Sequence, residues 1–145
     1  MAEKTQKNFQ KTNKNTEQLF RQIEQACDGL LYISETDAPV VAFYGSAARG
    51  TTGEIILQQT GSKPEGPAEE VAFDEFFARL TAIRDWFGAR EKARAKKFLD
   101  LQNLIEENLS DLKVFRIGKI RVRIYAVGVD DEGRLMGVAT DAVET

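Results

Sequence analysis

No histidine occurs among the 145 residues, so the usual neutral-pH general base, the Ser-His and Cys-His nucleophile pairs and the commonest zinc ligand are all missing. Carboxylate and lysine chemistry remain. Glu106 and Glu107 are adjacent and point in different directions on a helix, so they form no catalytic dyad. Gly45-Ser46-Ala47-Ala48-Arg49-Gly50-Thr51-Thr52 has the glycine spacing of a phosphate-binding loop, but Thr51 stands where the lysine belongs. The following Gly53 to Thr60 is predicted to be a strand, which would leave no helix N-terminus for an anion, and Gly45 to Gly53 is therefore read as a loop joining two strands. Lys119, Arg121, Arg123 and Tyr125 make a basic row with an aromatic on one strand face, either a nucleic-acid contact or a wet surface. Two features remain that suit recognition. Ser34-Glu35-Thr36-Asp37 is an acidic turn whose simplest reading is solvation, and Trp86 is the lone tryptophan, a core anchor or a binding hot spot.

Composition narrows the classes further. A chain of this length is one domain that buries about 70% of the surface its unfolded form exposes, without disulfides or metals. The hydrophobic share of 42% and charged share of 30% are those of a soluble globular protein, and no apolar run reaches a membrane-span length. The first residues are polar with no apolar h-region, and Cys27 alone makes no internal disulfide, so a cytoplasmic protein is expected. Cys27 lies on an apolar stripe and reads as a packed thiol. Net charge is −3, yet residues 1–16 hold Lys4, Lys7, Lys11 and Lys14 against Glu3, so the remainder is more acidic still. That balance favours basic partners and makes nucleic acid an unfavoured one.

The elements that must position these residues follow from periodicity. Residues 1–14 read as a disordered basic lead-in, and residues 15–145 as a single domain. Leu19, Phe20, Ile23, Ala26 and Cys27 recur at helical spacing, predicting a helix from about Thr16, with Asn15 and Gln18 as its capping signal and Asp28-Gly29 as its end. Leu30, Leu31 and Ile33 are expected to fill the core ahead of the acidic turn, and Val40 to Tyr44 to form a short strand. Gly61 to Ala68 is a surface loop, and Phe73, Phe76, Phe77 and Leu80 mark a short helix. Arg90 to Leu112 is the longest helical stretch, with Phe98, Leu101, Leu104, Ile105, Leu109 and Leu112 on one stripe. From Val114 the chain turns to strands. Ile120, Val122 and Ile124 alternate with Lys119, Arg121 and Arg123, and Asp130-Asp131-Glu132-Gly133 supplies the turn that returns Arg134 to Thr140 antiparallel. The sum is an α+β fold, an antiparallel sheet covered by helices.

Several stretches, in order over roughly residues 17 to 145, are similar to the nuclease A inhibitor family, which blocks a sugar-non-specific DNA/RNA endonuclease. They are Asp28-Gly29-Leu30-Leu31-Tyr32-Ile33-Ser34-Glu35, Glu54-Ile55-Ile56-Leu57-Gln58-Gln59-Thr60-Gly61, Asp85-Trp86, Val114-Phe115-Arg116-Ile117-Gly118 and Val143-Glu144-Thr145. The resemblance implies an α/β/α sandwich with a central antiparallel sheet, similar to the pathogenesis-related protein fold, with no catalytic activity and no cofactor. It also implies a protein partner, a nuclease whose active site is occluded, and a chain that is a monomer when free. Partner-binding residues would be Glu35, Arg84, Asp85, Trp86, Glu144 and Thr145, with Thr145 reaching a Mg²⁺ ion that belongs to the nuclease. Arg84 departs from the neutral polar residue expected there. An interaction module of the same fold with another partner is the alternative.

Overall fold

The computed structural model describes residues 2–61 and 68–145. In chain order these form α1 (Ala2–Cys27), β1 (Leu31–Ile33), β2 (Asp37–Pro39), β3 (Val41–Ala47), α2 (Gly53–Thr60), β4 (Glu69–Val71), α3 (Phe73–Thr81), α4 (Ala89–Asn108), β5 (Ser110–Ile117), β6 (Arg121–Val129) and β7 (Arg134–Val143). Five strands make one antiparallel sheet in the order β3-β7-β6-β5-β4, and β1 and β2 form a separate two-stranded hairpin. The fold is α+β, an antiparallel sheet with helices on both faces.

Strand alternation sorts the side chains between those faces. Val114, Val122, Ile124, Ala126, Met136 and Val138 point to one side, where Leu19 and Ile23 of α1, Phe73 and Phe77 of α3, and Phe98, Leu101 and Ile105 of α4 cover them. Phe115, Ile117, Tyr125, Val127 and Leu135 point the other way and meet Ile56 of α2. Phe77 and Phe115, one on each face, are fully buried, and each such side chain contributes on the order of 2–3 kcal/mol of burial energy.

Several expectations give way here. The helix α1 begins at Ala2, well ahead of the expected start near Thr16. Residues 2–27 contain no glycine or proline to stop a helix, and Lys, Gln and Glu tolerate one well. Its end is as predicted, with Gly29 at φ 70°. Gly53–Thr60 is a helix where a strand was expected. Thr52 caps it by accepting a hydrogen bond from Ile55 N at 3.2 Å, and Gly61 closes it in the left-handed conformation. The run Ile55-Ile56-Leu57 looked β-branched enough for a strand, but the two caps outweigh an eight-residue propensity. α4 stops at Asn108, and Leu112 belongs to β5, which starts four residues before the expected Val114. Leu30 is buried, but Leu31 and Ile33 face outward, because β1 is a strand of the small hairpin and alternates rather than filling the core. The expected loop at Gly61 to Ala68 lies, over residues 62–67, outside the described residues.

Candidate functional site

The site is built at the far end of β7. Two short elements converge there: the β1–β2 hairpin from the early chain and the β5–β6 connection. Ser34 organises the first. Its amide and its hydroxyl both donate to Thr36 O, at 2.9 and 3.0 Å, and the same hydroxyl accepts from Val143 N at 3.1 Å. Glu35 N reaches Val143 O at 3.4 Å, so the tip of the acidic turn is docked on the last residue of β7. Thr140 Oγ1 ties the hairpin a second time, donating to Pro39 O at 3.0 Å. On the opposite side Arg121 pairs with Val143, and Glu144 N donates to Ile120 O at 2.8 Å. Ladder order therefore continues past β7 itself into Glu144.

Thr145 is the product of that order. Its hydroxyl donates to Glu35 Oε1 at 2.6 Å, joining residues 110 positions apart. Both side chains are exposed. Glu35 has no cation within ion-pair distance among the described residues, so its charge is left for solvent or a partner. Glu144 differs. Its carboxylate forms an ion pair with the mostly buried guanidinium of Arg116 on β5. Burial pulls the Arg116 pKa down, but the hydrogen bond and charge of Glu144 outweigh it, and the group ends above its ordinary value.

Beside this pair a cleft of about 380 Å³ runs from Glu144 and Arg116 past Tyr32 to Glu75, Phe76 and Arg79 of α3. Tyr32 and Phe76 stack across it with ring centroids 6.0 Å apart. α3 then leads into the connection that carries Arg84, Asp85 and Trp86. All three are exposed, Trp86 to 76%, and its ring leans edge-on against Phe87. A turn closed by Phe87 N on Arg84 O at 3.0 Å holds the segment out. The structure thus brings Glu35 and Thr145 into contact. Trp86 is exposed on the α3–α4 connection, and among the described residues no hydrogen bond or ring contact joins it to either.

Three residues at this end escaped sequence reasoning. Ile33 (43% exposed) and Ile120 (59% exposed) were read as inward-facing, yet they flank Ser34 and Glu144 on the surface. Gly118, at φ 109°, was the missed signal for Ile120: the chain turns over Gly118 to Ile120, and β6 starts only at Arg121. The signal for Arg116 was an arginine inside an apolar strand, a position that demands a partner.

The competing sites lose their chemistry. Tyr125 is buried against Phe43 beneath α2, and Arg123 is held in two hydrogen bonds by Asp141 at 3.0 and 2.9 Å, so the row loses its aromatic and keeps only Lys119 and Arg121 as exposed cations. The Gly45 to Thr52 loop does end at a helix N-terminus, contrary to the expectation of a strand. Its Thr51 amide, however, already donates to the Asp111 carboxylate at 2.7 Å, and the lysine is still missing. Among the described residues, no group of three or more His, Cys, Asp or Glu side chains is placed to hold a metal ion. No described helix is long and apolar enough to cross a membrane.

A helix-covered antiparallel sheet that projects an exposed carboxylate joined to a hydroxyl, and an exposed indole, carries the equipment of a protein-recognition surface. A family model described as nuclease A inhibitor-like protein matches residues 17–145, and the chain belongs to that family. No curated protein matches it.

Proposed function

We propose that this protein inhibits a Mg²⁺-dependent, sugar-non-specific endonuclease by covering its active site with the Glu35–Thr145 end of the molecule. A site that binds phosphates presents cationic side chains and a hard metal ion, and both are satisfied by anionic or hydroxyl oxygen. Glu35 supplies the charge and Thr145 Oγ1 the ligand-type oxygen directed at the partner's metal ion. Trp86, with Arg84 and Asp85 beside it, forms a second contact from the α3–α4 connection, suited to a desolvated anchor at an interface of about 1,600 Å². Burying Glu35 costs several kcal/mol unless a cation meets it, so the complementary nuclease surface carries Arg, Lys or the metal itself there. Inhibition by coverage requires no chemistry of the inhibitor's own.

One observation carries the reading beyond the family. Glu35 and Thr145 have no sequence reason to meet, yet they share a 2.6 Å hydrogen bond on an exposed surface, and no cation among the described side chains pairs with the carboxylate. The test is plasmid digestion by a Mg²⁺-dependent non-specific endonuclease with increasing amounts of the protein. Stoichiometric loss of cleavage is expected, and cleavage undiminished at a large molar excess over every such nuclease from the same cell contradicts the proposal.

A further inference from the structure

Thr145 lies two residues beyond the end of β7, where backbone outside a ladder ordinarily loosens. Here the intervening residue is fixed twice, by Glu144 N on Ile120 O at 2.8 Å and by the Glu144 carboxylate on Arg116. Arg116 is positioned for this. It sits on β5, two strands away from β7 across β6, with its side chain 19% exposed, and it reaches past β6 to the end of the neighbouring strand. Its planar guanidinium grips a carboxylate more rigidly than a lysine ammonium could. Ser34 holds the preceding residue from the other side through Val143 N.

From these contacts we infer that Arg116 and Glu144 are positioning residues: their ion pair locks the terminal segment so that Thr145 Oγ1 is aligned with Glu35 before any partner arrives. The role rests on the inhibitor reading above and deepens it. Glu144 thereby acts inward, through Thr145, rather than as a direct contact. The gain is preorganisation. An unlocked terminus must be ordered at the moment of binding, and the cost of immobilising one such segment corresponds to about a tenfold weaker complex.

The test has two arms on the full chain. In the first, ¹⁵N relaxation reports the order of the Thr145 amide in the free protein. Glu144→Gln, on the half-exposed partner, and Arg116→Gln should each drop Thr145 to the mobility of a frayed end, whereas Arg116→Lys should retain part of its order. In the second, inhibition of a Mg²⁺-dependent non-specific endonuclease on plasmid DNA should weaken about tenfold in either glutamine variant. Once Thr145 has been deleted, Arg116→Gln should weaken it no further. Unchanged Thr145 order in Glu144→Gln overturns the inference, as does an Arg116→Gln effect of equal size with and without Thr145. A wild-type chain that inhibits no nuclease sinks the proposed function instead, and the relaxation arm then decides the lock by itself.

Discussion

The two ends of β7 each carry an acidic turn, and the two turns use their carboxylates in opposite ways. At the start, Asp130 is 9% exposed and holds three donors: Oδ1 accepts from Glu132 N and Arg134 N, both at 2.9 Å, and Oδ2 accepts from Thr16 Oγ1 at 3.0 Å. At the finish, Glu35 is exposed and accepts one hydrogen bond, from Thr145. Asp130 satisfies amides that the β6–β7 hairpin would otherwise strand, and it fastens α1 to that hairpin. Glu35 fastens nothing the fold requires, since its turn is already closed by Ser34. A buried carboxylate that already holds three internal donors is structural, and an exposed one that holds a single hydroxyl is available to a partner.

Substitutions can break that contrast. The largest stability effect should come from Asp130→Ala, which leaves two hairpin amides and the Thr16 hydroxyl without their acceptor. Urea unfolding should show a loss of about 3 kcal/mol, with inhibition per folded molecule unchanged. Glu35→Ala should do the reverse, weakening inhibition by on the order of 30-fold or more, a hot-spot value, while the unfolding midpoint stays put. A Glu35→Ala variant that unfolds early would erase the distinction between the two turns. Trp86→Ala should cost inhibition a similar amount, with thermal stability held because the indole is three-quarters exposed. Asp141→Ala, which removes the exposed partner of Arg123, should change stability by about 0.5 kcal/mol at most, in line with other surface ion pairs.

The smallest effect at neutral pH belongs to Cys27. Burial first, then the charge of Glu24, pushes its thiol up to about 12 despite the opposing pull of Lys97. A thiol raised in the folded state contributes its stability in full below its unfolded value near 9.0 and loses it as pH climbs toward 12. Cys27→Ala should therefore flatten the alkaline limb of the stability curve. Native Cys27 should also react with iodoacetamide about a thousandfold more slowly than the unfolded chain, from the smaller thiolate fraction alone.

The contrast between the turns was half legible in the residues. The β6–β7 hairpin could be read from Asp130 to Gly133 because a turn is a local object, whose chemistry lies within four consecutive positions. Phe73, Phe77, Phe98 and Leu101 were likewise found by helical spacing. Pairing across 110 positions has no local signature, and only the family resemblance singled out Glu35 and Thr145, as contacts to a partner and not to each other. The helix α2 was misread because Ile55 and Ile56 outweighed Thr52 and Gly61 in a window too short for periodicity to settle. Ile120 was misplaced because alternation runs on past the point where the strand begins, and only a backbone angle at Gly118 marks the limit. Arg116 could be suspected from its place in an apolar strand, but its partner Glu144, 28 positions on, could not be named from local pattern.

The most direct measurement is a double-mutant cycle at the β7 finish: calorimetric binding of a Mg²⁺-dependent endonuclease to the wild type, Glu35→Ala, the Thr145 deletion, and the combination. If the two oxygens act as one unit, each single change should weaken binding substantially, and the double change should cost clearly less than the two added together, a coupling of about 1 kcal/mol or more. Strictly additive losses, or a wild-type affinity retained in all three variants, would contradict the account.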